Sequence, residues 1–344
     1  MNILFLNDAP VVRFGLAAGF QTLGHEVHYL VLDAWSGPRS RVHLWELSRS
    51  EQLRAVDCWL DHRPRPDLFL YEGFTGTEPI HPEAILRLRA RASAPFYYWA
   101  IEDPLWTHEV IDARGRPGPY AGVADHIFTT AIECVPRYRS AGIPSTLLRF
   151  ACNPAFHRRV APAAALTCDV VLVANYYPGR ARWLREWLIQ PTLEHCQRSG
   201  RIFHVYGHGW ERDDRESLRH VPGLLRGPLR YEDLPTIYAS TKIALGAEQC
   251  LNESDTQCSM RVFEALGCGA CYLGPRHRAH SFLFVDREEV ALTGSAEETL
   301  ELLDWLFADD GRRETIARAG QLKCHAEHNY SVRARDVLEV FHAR

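Results

Sequence analysis

The chain has 344 residues, of which 46% are hydrophobic and 24% are charged. This length is typical of two domains of ordinary size rather than of one hydrophobic core. The 39 basic and 43 acidic side chains leave a net charge of −4, which excludes the strongly basic surface with which proteins bind nucleic acids or anionic membranes.

The first half of the chain predicts a parallel β-sheet covered by helices. NILFL predicts a strand, VVRFGLAAGFQTLGH a helix that Gly24 ends, and EVHYLVL a second strand. The helical pattern HPEAILRLRARA lies among further apolar runs that predict strands: DLFLYEG, PFYYWAI, HIFTTA and STLLRF. Because strands that alternate with helices form parallel sheets, we expect an α/β domain here. The first loop, NDAPVVRFG, lacks the G-x-G-x-x-G sequence of dinucleotide-binding domains.

A second α/β domain is predicted after residues 153–165, NPAFHRRVAPAAA, which lack periodicity and are typical of a linker. The strands predicted beyond it are CDVVLVANYY, RIFHVYGHGW, KIALGAE and ACYLG. The helices predicted there are WLREWLIQPTLEHCQRS, YEDLPTIYAST, SAEETLELLDWLFA and the terminal SVRARDVLEVFHA. Parallel sheets bind ligands at the carboxyl ends of their strands, so two facing sheets would enclose a binding cleft.

No segment predicts export or membrane insertion. The first residues, MNILFLNDAP, have neither the basic lead nor the long apolar run of a signal peptide, and no later run approaches the roughly 20 apolar residues of a membrane span. The ten cysteines lack the density of a disulfide framework. We therefore expect a cytoplasmic protein whose cysteines are reduced.

Residues 259–275, SMRVFEALGCGACYLGP, have the pattern of a binding site. On a helix that begins near Ser259, Arg261 and Glu264 share one face, while apolar residues face the core. We expect this charged pair to face a cleft or solvent and the helix to end at Gly267 and Gly269. The helix N-terminus favours a phosphate group, and the carboxylate can accept hydrogen bonds from a ribose diol. An ordinary ion pair on the surface of a helix explains the same spacing.

Cys268 and Cys271 form a C-x-x-C sequence that is followed by His277 and His280, so a zinc site has to be considered. Cys268 lies between two glycines in a predicted turn, and Cys271 begins an apolar strand. No second cysteine pair supports them. The sequence therefore does not favour a metal or redox site at this pair.

Segments throughout the chain resemble a known family. The second half contains VVLVANYYPGRARWLREWL, VYGHGW, GPLRYEDLPTIYASTKIAL, SMRVFEALGCGACYL and HNYSVRARDVL, and the first half contains YYWAIEDPLW, ADHIFTT and LLRFACNPAFHR. In this order they resemble the CgeB-like glycosyltransferases, the spore maturation protein type.

The resemblance implies a GT-B fold, in which two Rossmann-like parallel-sheet domains face a cleft. An N-terminal acceptor-side domain would span residues 1–158 and a C-terminal nucleotide-sugar domain residues 159–328. The terminal helix, residues 329–344, would pack back toward the N-terminal domain. The implied partners are a nucleotide-sugar donor and a glycan, peptide, protein or small-molecule acceptor. No cofactor or metal is expected.

The resemblance also implies roles for individual residues of the second domain. Glu264 would bind the donor ribose, and Arg261 would contact a phosphate or the sugar, next to Ser259 at the helix start. Enzymes of this fold stabilise the leaving diphosphate with helix N-termini and basic side chains. Arg180 and Arg182 are the candidates for this role, although they also fit a solvated helix start.

Three further residues complete the predicted donor site. Gly207 and Gly209 end a predicted strand and would let the nucleotide approach the backbone closely. Tyr231 would flank the base, or it would simply pack in the core.

One departure from related enzymes concerns the stereochemistry. Retaining enzymes of this fold often have an E-x7-E pair, but Thr256 occupies the position eight residues before Glu264. Either Glu253 or Asp255 contacts the sugar instead, or the pair is not used. The choice between retention and inversion stays open.

An inverting enzyme needs a general base near the acceptor hydroxyl. Glu102 and Asp103 follow an apolar strand of the first domain, and Asp103 is the preferred candidate, although an aspartate before Pro104 is also typical of a helix cap. Asp8 and His108 are weaker candidates for contacts with the acceptor.

The sequence thus predicts a metal-independent glycosyltransferase that transfers a sugar from a nucleotide diphosphate to an acceptor hydroxyl. A sugar-nucleotide epimerase or hydrolase would use the same donor site without an acceptor. A non-catalytic protein that binds nucleotide-sugars or glycans is the third alternative. The sequence identifies neither the donor nucleotide nor the acceptor, and it leaves the oligomeric state open.

Overall fold

The computed structural model describes residues 1–7, 9–32, 42–43, 47–73, 80–101, 104–105, 107–112, 114–176, 184–212, 218, 220–248 and 254–343. The chain divides into two compact units. Unit 1 comprises Met1–Arg149 and Tyr330–Arg344, and unit 2 comprises Phe150–Asn329. No helix in the described ranges is both long enough and apolar enough to cross a membrane.

Unit 1 contains a six-stranded parallel sheet and a short antiparallel hairpin within the described residues. Its strands are Asn2–Phe5 (β1), Glu26–Tyr29 (β2), Val31–Leu32 (β3), Val42–His43 (β4), Leu68–Gly73 (β5), Phe96–Ala100 (β6), His126–Thr129 (β7) and Ser145–Leu147 (β8). The sheet has the order β2-β1-β5-β6-β7-β8, and β3 pairs with β4. All residues of β5 and β6 are buried, as expected for strands with both faces covered by helices.

The helices of unit 1 are Pro10–Arg13 (α1), Leu16–Thr22 (α2), Arg49–His62 (α3), Pro82–Ala92 (α4), Cys134–Ser140 (α5) and, at the end of the chain, Tyr330–His342, which is α12. The single helix predicted from VVRFGLAAGFQTLGH is thus two helices. They separate at Gly15, where an added Cβ would lie 2.1 Å from the carbonyl oxygen of Val11. At Gly19, a Cβ would lie 2.1 Å from the carbonyl oxygen of Tyr330, so this glycine allows α12 to pack closely on α2.

Unit 2 contains a second six-stranded parallel sheet within the described residues. Its strands are Cys168–Val173 (β9), Phe203–Tyr206 (β10), Leu225–Gly227 (β11), Thr241–Leu245 (β12), Cys271–Pro275 (β13) and Ala291–Thr293 (β14). They have the order β11-β10-β9-β12-β13-β14. The helices of unit 2 are Gln190–Ser199 (α6), Leu234–Ala239 (α7), Met260–Gly267 (α8), Arg278–Leu283 (α9), Ala296–Phe307 (α10) and Asp310–Glu327 (α11). A π-helical segment, Leu184–Ile189, leads into α6. The predicted α/β class of both halves is confirmed.

The division of the chain differs from the predicted boundary at residue 158. Residues 150–158 belong to unit 2, where the amide of Cys152 donates a hydrogen bond to the carbonyl oxygen of His328 at 2.9 Å. Cys152 also forms an isolated parallel bridge with Asn329. The residue immediately before the predicted linker is therefore held to the end of unit 2 by backbone pairing.

Each sheet has a point at which the order of its strands reverses. In unit 1 the chain passes from β1 to β2 on one side and returns to β5 on the other side of β1. In unit 2 it passes from β9 to β10 and returns to β12 on the other side of β9. Ligands of open α/β sheets bind beyond the carboxyl ends of the strands at such points. The residues that follow β1, β5, β9 and β12 are therefore the first places to look for a site.

Candidate functional site

Helix α8 begins and ends almost as the sequence predicts. Ser259 is its N-cap, and its hydroxyl accepts a hydrogen bond from the Arg261 amide at 3.2 Å. Such a cap satisfies one of the amides left free at a helix start. Gly269 follows the helix in the left-handed conformation, with a φ of +78°, whereas Gly267 is the last residue of the helix itself. The predicted helix over this segment is confirmed.

Glu264 is buried, and this corrects the expectation of a charged pair facing a cleft or solvent. Its side chain is 2% exposed, whereas that of Arg261 is 24% exposed. The two side chains form an ion pair three residues apart on α8. The interpretation as an ordinary surface pair is wrong for the same reason. A buried carboxylate is costly unless charges and hydrogen bonds compensate it, and the neighbours of Glu264 do so.

Three residues form a directed chain of hydrogen bonds that ends at Glu264. The backbone amide of Asn153 donates to Nδ1 of His157 at 2.9 Å, so the ring proton of a neutral imidazole lies on Nε2. His157 Nε2 lies 3.3 Å from the hydroxyl oxygen of Tyr231 and donates to it. The Tyr231 hydroxyl in turn donates to Glu264 Oε1 at 2.5 Å. Every proton along this chain points toward the carboxylate.

The ionisation states agree with this direction. Burial lowers the pKa of His157 to about 4, so the imidazole is neutral at neutral pH. Burial alone would raise the pKa of Glu264, but the positive charge of Arg261 and the hydrogen bond from Tyr231 hold that pKa below its ordinary value. The carboxylate is therefore ionised. Its hydrogen bonds from Tyr231 and Arg261, among the described residues, use two of its roughly four lone-pair positions and leave acceptor capacity for a ligand hydroxyl.

Tyr231 is positioned by a ring as well as by hydrogen bonds. Phe156 stacks on it with ring centroids 5.5 Å apart and an angle of 9° between the ring planes. The sequence analysis named Tyr231 but missed both Phe156 and His157, because their contacts join positions far apart in the chain.

We predict that Tyr231→Phe lowers the free energy of unfolding by about 1 to 3 kcal/mol. The substitution removes the donor to Glu264 and leaves the buried Nε2–H of His157 without its acceptor. Denaturant titration measures the change. Because Tyr231 and Glu264 share one hydrogen bond, the loss in the double variant Tyr231→Phe/Glu264→Ala should be smaller than the sum of the two single losses. Strict additivity would contradict the coupling.

Gly207 and Gly209 lie beyond β10, and both are in the left-handed region, with φ values of +140° and +88°. A Cβ on Gly207 would lie 1.8 Å from the carbonyl oxygen of Ala174, and one on Gly209 would lie 3.0 Å from that of Tyr176. These glycines therefore allow the segment after β10 to contact the segment after β9. Their predicted contact with a nucleotide stays a prediction.

Several residues of the predicted site lie outside the described residues: Asp8, Glu102, Asp103, Arg180, Arg182 and Glu253. Of the others, His108 is exposed. The side chain of Asp255 is exposed, whereas Thr256 is buried. The carbonyl oxygen of Asp255 accepts a hydrogen bond from the Ala279 amide at 2.8 Å.

Unit 1 contains a buried acidic residue that the sequence analysis did not consider. Glu72 lies on β5 and Asn7 follows β1, so both lie where the strand order of the sheet reverses. Asn7 Nδ2 donates to the carbonyl oxygen of Glu72 at 3.0 Å. Within the described residues, both carboxylate oxygens of Glu72 and Oδ1 of Asn7 are buried without a hydrogen-bond partner. Burial raises the pKa of Glu72 to about 8.

A carboxylate in this position is typical of functional sites, because nothing in the described fold compensates its burial. The sequence did contain a signal. Glu72 ends the apolar run DLFLYEG in the way that Glu102 and Asp103 end the next one, PFYYWAI.

The raised pKa of Glu72 predicts a pH dependence of stability. The pKa of Glu72 in the folded protein, about 8, exceeds the ordinary value of 4.5, so the folded state retains a proton that the unfolded state has lost. The contribution of Glu72 to stability is therefore fully present below pH 4.5 and is lost as the pH rises toward 8. Melting curves at a series of pH values should show a smaller decline over this range for Glu72→Gln than for the wild type. Identical slopes would contradict the assignment.

Comparisons with known proteins add two findings. Residues 180–339 match the model of a family described as glycosyl transferase-like. No curated protein sequence matches the chain.

Several solved structures are similar over the full chain. Sucrose-phosphate synthase from Thermosynechococcus elongatus is 14% identical with a TM-score of 0.67, and the match covers 100% of this chain and 98% of that one. Anabaena HepE in complex with UDP-glucose is 12% identical with a TM-score of 0.64, and both chains are covered completely. UDP-GlcNAc 2-epimerase from Neisseria meningitidis, bound to UDP-GlcNAc, is 14% identical with a TM-score of 0.56, again with both chains covered completely.

At these identities the likeness shows the fold. The two Rossmann-like parallel-sheet units have the GT-B architecture, and residues 180–339 match a glycosyl transferase-like family.

Proposed function

We propose that the protein is a glycosyltransferase that transfers a sugar from a nucleotide-diphosphate donor to an acceptor hydroxyl. The single observation that carries the proposal is the ionised, buried carboxylate of Glu264, held on α8 by Arg261 and Tyr231 within the segment that matches a glycosyl transferase-like family. The closer resemblance to the CgeB-like subfamily rests on the sequence segments and belongs to the proposal.

On the donor side, Glu264 accepts hydrogen bonds from the ribose diol. The guanidinium of Arg261, whose side chain is 24% exposed, contacts a phosphate or the sugar, and the N-terminus of α8 favours negative charge. UDP-sugars are the first donors to test, because the similar HepE and 2-epimerase structures contain UDP-glucose and UDP-GlcNAc.

On the acceptor side, a carboxylate removes the proton from the attacking hydroxyl. The hydroxyl oxygen then bonds to the anomeric carbon, the bond from that carbon to the diphosphate breaks, and the nucleotide diphosphate leaves with the electron pair. Glu72 fits the base, since a pKa of about 8 gives a strong acceptor that is partly ionised near neutral pH. Asp103 and Glu102 stay candidates from the sequence, with Asp8 and His108 as acceptor contacts.

The leaving diphosphate is stabilised by basic side chains and the start of α8, without a metal ion bound to the phosphates. Arg180 and Arg182 are the proposed basic residues. Added Mg²⁺ or Mn²⁺ should therefore not be required for transfer.

A sugar-nucleotide epimerase is the second candidate, and the likeness to a UDP-GlcNAc 2-epimerase favours it. Incubation with UDP-GlcNAc alone distinguishes the two, because an epimerase changes the sugar without an acceptor. A non-catalytic binding protein would bind the nucleotide and convert nothing.

The proposal is tested by incubating the protein with UDP-, GDP-, dTDP-, CDP- and ADP-sugars, each with glycan, peptide and small-molecule acceptors. Mass spectrometry of the acceptors and release of the nucleotide diphosphate are measured together. We expect a mass increase of one sugar with equimolar nucleotide release. Conversion of the donor sugar without transfer would assign the epimerase, and tight nucleotide binding without any product would assign the binding protein.

A further inference from the structure

A second buried polar cluster lies beneath the start of α8. Glu248 follows β12 at the point where the strand order of unit 2 reverses, Cys258 precedes the N-cap of α8, and His280 lies on α9. All three are buried. Their ligand atoms all lie within 4.8 Å of one another, and they form a possible metal-binding group within the described residues.

Both ring nitrogens of His280 face acceptor oxygens, and a neutral imidazole ring cannot donate to both. Its Nδ1 lies 2.8 Å from the carbonyl oxygen of Pro275, so this nitrogen carries a proton. Its Nε2 lies 3.2 Å from Glu248 Oε1, which is also an acceptor. A neutral imidazole has only one N–H. Either the ring is doubly protonated, or a cation is shared by Nε2 and the carboxylate.

His277 adds an independent observation. Its Nε2 is buried without a hydrogen-bond partner in the part of the chain that the structure describes, and it lies 3.9 Å from Glu248 Oε2. Its Nδ1 lies 3.2 Å from the carbonyl oxygen of Asp255 and 3.2 Å from the backbone amide of Ala279, which donates to it. The Nε2 of a second imidazole thus lies near the same carboxylate without a hydrogen bond to it.

We propose that Glu248, Cys258 and His280 bind a Zn²⁺ ion. His277 is the proposed fourth ligand, although it is not among the three residues whose ligand atoms all lie within 4.8 Å of one another. Carboxylate, thiolate and imidazole together are the ligand set of zinc rather than of Mg²⁺ or Ca²⁺. In a tetrahedral site with bonds of about 2.0 to 2.3 Å, ligand atoms lie roughly 3.3 to 3.7 Å apart. His280 Nε2 lies 3.2 Å from Glu248 Oε1, whereas His277 Nε2 lies 3.9 Å from the other oxygen, Oε2, so a small shift of these side chains would bring them to one ion.

The surroundings of these ligands have the features of a metal site. Zinc-binding histidines commonly donate their second N–H to a backbone carbonyl or a carboxylate, and the carbonyl oxygen of Pro275 occupies this position for His280. An ion on Nε2 of His277 would require its Nδ1 to donate to the carbonyl oxygen of Asp255 instead of accepting from the Ala279 amide. Glu248 Oε2 accepts a hydrogen bond from the Ser259 amide at 2.7 Å, so its carboxylate is oriented by the first residue of the α8 cap.

A site with four protein ligands is closed and structural. The ion would join the segment after β12 to the start of α8 and to α9, and so fix the helix that carries Arg261 and Glu264. The sequence analysis expected no metal and disfavoured zinc at Cys268 and Cys271. Neither of these cysteines belongs to the group, and the proposed ion takes no part in binding the donor phosphates. This inference does not depend on the proposed function.

The test measures zinc in the full chain, purified without chelator and after removal of any histidine tag. Inductively coupled plasma mass spectrometry gives the zinc content of the wild type, Cys258→Ser and His280→Asn. Cys58→Ser is the matched control, because Cys58 is an exposed cysteine whose Sγ lies 3.9 Å from His62 Nδ1 and could bind zinc adventitiously. Reconstitution of the wild type and Cys58→Ser with Co²⁺ provides a thiolate-to-metal charge-transfer band, which does not require that the ligand variants fold.

We expect about one zinc ion per chain in the wild type and Cys58→Ser, at least a tenfold lower content in the two ligand variants, and a cobalt–thiolate band in both reconstituted proteins. The proposal would be overturned if the wild type contained no zinc after dialysis against zinc and the cobalt-reconstituted protein showed no thiolate band. The contact between His280 and Glu248 would then be a buried ion pair. Zinc retained by Cys258→Ser and His280→Asn, or lost by Cys58→Ser, would overturn the proposal as well.

Discussion

Glu264→Ala is expected to weaken binding of the donor nucleotide by at least about 100-fold and to lower the free energy of unfolding by about 3 to 5 kcal/mol. The first effect follows from the proposed hydrogen bonds between the carboxylate and the ribose hydroxyls. The second arises because the substitution leaves Arg261 without its ion-pair partner and the Tyr231 hydroxyl without its acceptor. Titration with nucleotide and denaturant unfolding measure the two effects separately.

Two further variants separate binding from folding. Glu264→Gln keeps an oxygen that accepts from Tyr231 but removes the charge, so its loss of stability should be smaller than that of the alanine variant. Glu301→Ala removes an exposed glutamate from α10 in the same unit and should change stability by less than about 0.5 kcal/mol. If a folded Glu264→Gln bound the nucleotide as the wild type does, the ribose contact would be wrong.

Glu72→Gln is expected to lower the rate of transfer by a factor of about 10² to 10⁴, the usual contribution of a general base. Its affinity for the nucleotide should not change, because the proposed donor site lies in unit 2. In the wild type, the rate should rise with pH through about 8, since the base has to be ionised to accept a proton. The rate of nucleotide release from the donor, measured for the wild type and the variant across pH, gives both the loss of rate and its pH dependence.

Glu109 supplies a matched control for Glu72. It is a second glutamate of unit 1 whose pKa burial raises, in this case to about 7, but its Oε2 accepts a hydrogen bond from Tyr98. We expect Glu109→Gln to change the rate by less than about threefold, because a carboxylate already bonded to a phenol is a poorer base. A large loss in Glu109→Gln, Asp103→Asn or Glu102→Gln, with Glu72→Gln unaffected, would transfer the role of the base to that residue.

The parts of the fold that depend on local pattern could be predicted from the sequence. The strands DLFLYEG and PFYYWAI were recognisable because buried parallel strands are continuously apolar. Helix α8 was recognisable from Ser259 and the glycines that follow it. The break at Gly15 could not be predicted, because it depends on the close approach of Val11 within the turn and of Tyr330 from the end of the chain.

The contacts of the candidate site were predicted only where its residues are neighbours in sequence; Tyr231 was named, but its hydrogen bond to Glu264 was not. Arg261 and Glu264 were identified from their spacing, but the burial of Glu264 depends on Tyr231 and His157, which come from distant segments. The sequence analysis considered His280 as a metal ligand because it follows Cys271 closely in the sequence. The fold instead places it beside Glu248 and Cys258. Spacing identifies pairs on one helix, and tertiary packing decides which other side chains join them.

Isothermal titration of the wild type with UDP, GDP, dTDP, CDP and ADP, repeated with EDTA and with Glu264→Gln, tests the central claim most directly. We predict that one nucleotide binds selectively, that its affinity does not require added Mg²⁺ or Mn²⁺ and survives EDTA, and that the variant loses it. Absence of binding to all five nucleotides, or equal affinity in the variant, would contradict a donor site at Glu264.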